Sequence, residues 1–91
     1  MKHIVVSYDI SDDRKRAKVS NLLEDYGCRV QFSVFECRLK GNTLDELLDK
    51  LKPFAGSTDS IRIYQICEDC LKKVVMLGRA QMPEEPGFFL V

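Results

Sequence analysis

No stretch of this 91-residue chain approaches the ~20 consecutive apolar residues that a membrane helix needs. Met1-Lys2-His3 runs directly into a β-branched segment without the layout of a signal peptide. The expectation is a soluble, cytoplasmic protein with no membrane partner. Net charge is also lacking, because 14 Lys and Arg balance 14 Asp and Glu. That balance excludes a generic polyanion binder held by bulk charge. The single histidine, His3, stands near the N-terminus, where packing or solvent contact is the expected role and catalysis is not. Internal repeats and low-complexity segments are missing. Cys28, Cys37, Cys67 and Cys70 are expected to be reduced thiols in the cytoplasm. Cys67-Glu68-Asp69-Cys70 has zinc-ligand spacing, yet no second pair accompanies it. The pair is therefore read as structural thiols.

What is present fits one domain spanning residues 1–91. A chain of this size buries only about two thirds of its unfolded surface, so a homodimer that hides more apolar area would suit it. The charges are spread unevenly. Residues 1–40 hold eight Lys and Arg against six Asp and Glu, and residues 41–91 hold six against eight. Four of the cations, Arg14, Lys15, Arg16 and Lys18, crowd one short stretch. Any nucleic-acid contact is expected to be local, on that stretch, and the competing reading is a solvated helix face.

The chain is organised around Ile4-Val5-Val6-Ser7-Tyr8-Asp9, a β-branched run ending in a carboxylate. Residues 2–9 form the first expected strand, and its lack of alternation predicts a central strand covered on both faces. Ser11 or Asp12 caps the following helix, whose stripe is Val19, Leu22, Leu23 and Tyr26 and whose stop is Gly27 in the left-handed position. On this helix Arg14 and Lys18 point away from the stripe and Arg16 lies at its edge. Residues 29–39 are strand-like throughout, without Gly or Pro, so periodicity predicts a single long strand. Lys40-Gly41-Asn42 is a turn, and Thr43 with Glu46 forms a capping box for a helix that buries Leu44, Leu47, Leu48 and Leu51 and ends at Pro53. Residues 59–66 alternate as a strand. Residues 73–77 and 87–91 are two further short strands, expected to pair along a sheet edge, the partner's included. If residues 29–39 fold as two strands, the order becomes βαββαβ, the ferredoxin-like plait in the α+β class. Two helices on one face then leave the other face open for a second protomer.

Val6-Ser7-Tyr8-Asp9-Ile10-Ser11-Asp12-Asp13-Arg14, followed by Tyr26-Gly27-Cys28-Arg29-Val30-Gln31-Phe32-Ser33-Val34-Phe35-Glu36-Cys37, closely resembles the CRISPR-associated Cas-two family. Its members are small proteins that accompany the Cas-one integrase in spacer acquisition. The resemblance runs on through Asp59-Ser60-Ile61-Arg62-Ile63-Tyr64 and covers nearly the whole chain. It implies a ferredoxin-like homodimer with facing sheets, in which residues 73–91 extend as strands to the partner protomer. It also implies a turn near Phe32-Ser33 that periodicity does not show. By the same resemblance Asp9 is the metal-binding residue, one from each protomer, sharing a single Mg²⁺ or Mn²⁺ site. The site residues it implies are Tyr8, Asp9, Arg16, Arg29, Ser33 and Phe35. The implied partners are the integrase and duplex DNA or single-stranded RNA. At Lys18 the family often has Arg, and Lys keeps the charge without the bidentate fork.

Residue chemistry accommodates these roles. Phosphodiester hydrolysis needs an activated water and neutralisation of developing charge, and Mg²⁺ takes oxygen ligands. One carboxylate per chain becomes two across a two-fold axis. Three functions are therefore weighed: a scaffold that bridges integrase subunits along DNA, a metal-dependent endonuclease on RNA or DNA, and a small-molecule-sensing plait.

Overall fold

The computed structural model describes residues 1–78. β1 (Lys2–Asp9) leads into α1 (Asp13–Glu24), then β2 (Gly27–Gln31), β3 (Val34–Leu39), α2 (Thr43–Leu51) with a 3-10 turn at Lys52–Phe54, β4 (Ser60–Ile66) and the short α3 (Glu68–Leu71). The four strands make one antiparallel sheet in the order β2-β3-β1-β4. This is the ferredoxin-like plait, with the β-branched run of β1 at its centre. Residues 29–39 are two strands, and the turn falls at Phe32-Ser33. Neither turn residue is a breaker. The reversal is fixed by tertiary bonding instead: the amide of Tyr8 donates to the Ser33 carbonyl at 3.1 Å, and the register of β2 on β3 shifts between Arg29 and Gln31.

One face of the sheet makes the core. Ile4, Val6 and Tyr8 of β1 and Phe35, Cys37 and Leu39 of β3 pack with Val19 and Leu23 of α1 and Leu44, Leu47 and Leu51 of α2. Each such aliphatic side chain contributes about 1.5–3 kcal/mol by leaving water. Leu22, Tyr26 and Leu48 lie at the rim, partly buried. The two helices are joined across that rim by a polar knot. The Tyr26 hydroxyl donates to Glu46 Oε1 at 3.1 Å, while Lys50 Nζ donates to the Tyr26 oxygen at 2.8 Å and to Glu46 at 3.1 Å. The Lys50 bond first, and the Tyr26 bond second, hold the Glu46 carboxyl below its ordinary pKa.

Three further expectations are corrected. β1 is fully covered on only one side within the chain: on the other side His3 is buried, but Val5 and Ser7 are half-buried, opposite Glu36 and Tyr64 and opposite Val34 and Arg62. Gly27 has no positive φ and ends no helix. It opens β2, where a Cβ would run into the carbonyl oxygen of Glu36 and lie 2.8 Å from Cys37 Cα, so a side chain is excluded by the neighbouring strand. Thr43 and Glu46 do not form a capping box: Asn42 holds the N-cap, the Thr43 hydroxyl donates back to the Lys40 carbonyl at 2.6 Å, and Glu46 is spent on the knot. Residues 73–77, expected to pair along a sheet edge, the partner's included, form no strand within the single chain, where Val75 and Leu77 lie exposed. The strand expected at 87–91 lies outside the described residues.

His3 is used for packing, at 4 % exposure on β1. Burial holds its imidazole below the ordinary pKa, against the opposite pull of Glu36, whose Oε1 is 3.4 Å from Nε2; Arg38 adds to the lowering. The folded chain therefore binds fewer protons than the unfolded one between the two imidazole pKa values. The stabilisation is complete above the unfolded value of 6.5 and drains away as pH falls below it. Urea midpoints are expected to drop between about pH 7 and pH 5, and to drop less in His3→Gln. Parallel profiles for the two proteins would assign the acid sensitivity to another group.

Candidate nucleic-acid and metal site

The end of β1 separates the expected site residues onto two faces. Tyr8 points into the core side, 3 % exposed, and its ring stacks on Phe35 at 6.3 Å between centroids with 27° between planes. Asp9, next in the strand, pairs with Ser60 through the backbone and faces the other way. Its side chain is exposed and makes no hydrogen bond or ion pair among the described residues. It is a free carboxylate on a rigid strand end.

On the helix side, an open cleft of about 310 Å³ lies between α1 and the β2–β3 turn. Tyr8, Arg16, Arg29 and Phe32 line it, with Asp13 and Glu24 on the α1 wall. Arg16 is already engaged. Its Nη1 donates to the Ile10 carbonyl at 2.9 Å and its Nη2 is paired with Asp13, so it holds the β1–α1 turn closed. Its guanidinium also stands 6.0 Å from the centroid of Phe32, whose ring is 74 % exposed at the turn. Arg29 lies over Phe35, 5.4 Å from its centroid, and donates to Ser20. Ser33 contributes its carbonyl to the turn, and Phe35, with no exposed surface, is a core residue beneath the cleft.

The basic stretch divides in the same manner. Asp12 caps α1, its Oδ2 accepting from the Lys15 amide at 2.8 Å. The Lys15 ammonium then reaches Asp59 Oδ2 at 2.6 Å, and the Asp59 side chain is only 6 % exposed. The hydrogen bond from Lys15 is the main reason why the Asp59 carboxyl titrates below its ordinary range. Lys15 and Arg16 thus fasten α1 to the loop before β4 and to the turn after β1. Arg14 and Lys18 are fully on the outer face, exposed and without a charged partner among the described residues.

Tyr8, Arg16, Arg29 and Phe35 are therefore brought together, Asp9 is set apart from them in the single chain, and no group of three or more His, Cys, Asp or Glu side chains suited to a metal exists among the described residues. Asp9 supplies a hard, unencumbered oxygen donor, which suits Mg²⁺ or Mn²⁺ as half of a shared site and not as a whole one. Ser20, Phe32 and Asp59 do not stand out in the sequence as site residues. Ser20 carried a legible signal, for a polar residue between Val19 and Leu23 on a buried stripe implies a hydrogen-bonding partner.

Comparison with known proteins identifies relatives of the chain. The family model described as CRISPR associated protein Cas2 matches residues 1–74. A protein of Synechocystis sp. called CRISPR-associated endoribonuclease Cas2 3 is 42 % identical over 88 residues, covering 96 % of each chain. Among solved structures, a hypothetical protein of Thermus thermophilus superposes with a TM-score of 0.75 at 39 % identity, over 91 % of this chain and 98 % of that one. A chain from a partial Cas6-RT-Cas1–Cas2 complex superposes at 0.69 with 35 % identity, over 85 % and 91 % of the two chains. A plait with a free strand-end carboxylate, an arginine-lined cleft beneath the first helix and this extent of sequence identity lead to one placement: the chain belongs to the CRISPR-associated Cas2 family.

Proposed function

We propose that the protein acts in CRISPR spacer acquisition as a homodimer that bridges Cas1 integrase subunits along duplex DNA. The observation that carries this reading is the division of labour on α1. Lys15 and Arg16 are consumed by Asp59, Ile10 and Asp13, whereas Arg14 and Lys18 stand one turn apart on the outer face with no charged partner among the described residues. These two α1 cations, repeated by a two-fold axis, track a phosphate backbone without reading bases. The uncovered sheet face, carrying Val5, Val34 and an exposed Tyr64, is suited to a second copy of the chain. The solved complex that contains both Cas1 and Cas2 supports the choice of partner.

Replacing Arg14 and Lys18 together by Ala is expected to weaken duplex binding to the same extent on unrelated sequences. It should also flatten the dependence of log K on log salt by roughly 0.9 for each phosphate that is no longer neutralised. The fold should be unaffected, because both side chains are exposed. A salt slope equal to that of the parent protein would return the two cations to a solvating role, and a purified dimer that carries a small ligand and ignores DNA would favour the sensing plait.

A second reading, metal-dependent cleavage of RNA or DNA, is favoured by the unpartnered Asp9 and by the name endoribonuclease given to the Synechocystis relative. In it, Asp9 from each protomer holds one Mg²⁺ or Mn²⁺, which when bound supplies an activated water and offsets charge on the phosphate. Arg29, with donors left over after its bond to Ser20, orients a phosphate at the mouth of the cleft. Arg16 acts at one remove by keeping the turn that carries Asp9 into α1 closed.

A further inference from the structure

We propose that Cys67 and Cys70 form a reversible dithiol–disulfide pair, oxidised by low-molecular-weight disulfides, which locks the turn by which the chain leaves β4. The two residues were expected to be structural thiols, but both are exposed. Neither belongs to the core, so packing does not account for them. Cys67 follows Ile66, the last residue of β4, and occupies the N-cap of α3, with Cys70 three residues further on. Cys67 Sγ accepts a hydrogen bond from the Cys70 amide at 3.3 Å. Residues spaced i,i+3 on one helical turn have Cβ atoms about 5–6 Å apart, and a disulfide needs about 3.5–4.5 Å. With the Cys70 amide already seated on Cys67 Sγ, the two residues share one tight turn, and closing that gap needs an adjustment within that turn alone.

The pair is also unequal. Hydrogen bonds from the Cys70 thiol and amide draw the Cys67 thiol below its ordinary pKa, and the same contact pushes that of Cys70 up. Cys67 is thus the attacking sulfur and Cys70 the resolving one. Neither of the other thiols is placed to join the pair. Cys37 is buried, with its pKa pushed up to about 12, chiefly by desolvation, and Cys28, though exposed, lies on β2, at the sheet edge opposite β4. A metal reading is disfavoured because no third His, Cys, Asp or Glu completes a cluster among the described residues.

The exchange balances without a further reactant. Cys67 thiolate attacks one sulfur of the small disulfide, forming a mixed disulfide and releasing the first small thiolate. Cys70 gives its proton to solvent and attacks Cys67 Sγ, closing the Cys67–Cys70 bond and releasing the second. The protein loses two electrons and two protons, and one small disulfide becomes two small thiols. The structural consequence is local. α3 is four residues long and is closed by bonds from the Leu71 amide to the Cys67 carbonyl at 2.8 Å and from the Lys72 amide to Glu68 at 3.2 Å. So short a helix is marginal without a constraint. The crosslink holds it for as long as the pair is oxidised and fixes the direction in which residues 72–78 set out.

The full-length chain, equilibrated in glutathione and glutathione disulfide, acid-quenched, alkylated and analysed by peptide mass spectrometry, tests this. The expected product is two hydrogens lighter, carries a Cys67–Cys70 crosslink and reverts in excess glutathione. Cys70→Ser should stop at a Cys67–glutathione adduct. In the reduced parent, iodoacetamide should modify Cys67 on the order of 10-fold faster than Cys70 near neutral pH. A glutathione adduct that persists on the parent without ring closure overturns the proposal. So does a disulfide joining two chains, or equal alkylation of the two thiols.

Discussion

Asp9→Asn is expected to lower any phosphodiester cleavage by the protein by roughly 10²-fold or more while its dimerisation and its stability in urea stay within about 0.5 kcal/mol of the parent. The substitution keeps the shape of the side chain and removes one charge per protomer. Because Asp9 is exposed and its side chain is bonded to nothing among the described residues, the fold has little to lose. If two copies face each other across a two-fold axis, neutralising them also relieves a like-charge contact, so the dimer is expected to hold or tighten slightly. Cleavage rates should be taken with single-stranded RNA and with duplex DNA across a Mg²⁺ and Mn²⁺ titration. Equal rates for the two proteins, with the same metal requirement, would move the activity away from Asp9. Absence of cleavage in both at every metal concentration would leave the bridging role alone.

The separation of Asp9 from the arginine cleft explains how much of the site could be read in advance. A β-branched run that ends in Tyr-Asp places its last two side chains on opposite faces by strand geometry alone. What the other residues do depends on contacts between distant positions. Lys15 and Asp59 are 44 residues apart, and their 2.6 Å bond removes Lys15 from the pool of exposed cations. Nothing in the local sequence distinguishes Lys15 from Lys18. The same holds for the fold. The leucines of α2 and the alternation of β4 gave those elements directly. The turn at Phe32-Ser33 was hidden because the residues around it favour strands, and the reversal is fixed by the bond from the Tyr8 amide and by a register shift. Gly27 looked like a helix stop because its position suits one, and it is required instead by the closeness of the backbone of β3. Residues 74–77 are apolar enough for a strand, but in the single chain they pair with neither edge strand, β2 or β4.

Phe35→Ala is expected to destabilise the protein by about 3–5 kcal/mol, enough to unfold much of a domain this small. Phe35 is among the largest side chains without exposed surface, and it touches both halves of the molecule: Tyr8 stacks on it from β1 and Arg29 covers it from β2. Removing the ring leaves a cavity beneath the cleft and deprives Arg29 of its support. A loss of function in this variant therefore reports on the fold, and Phe35→Leu separates the two effects. Leucine retains most of the apolar volume, so its cost should be about 1–2 kcal/mol, while the aromatic surface under Arg29 is still removed. If Phe35 acts only through packing, Phe35→Leu should bind and cut nucleic acid as the parent does once the folded fractions are matched. If the ring serves to aim the Arg29 guanidinium, Phe35→Leu and Arg29→Lys should show the same defect in the folded protein, and the double variant should be no worse than either alone. Urea denaturation, followed by binding assays at a temperature where both single variants are folded, distinguishes these outcomes. A Phe35→Ala protein as stable as the parent would contradict the burial from which the prediction is made.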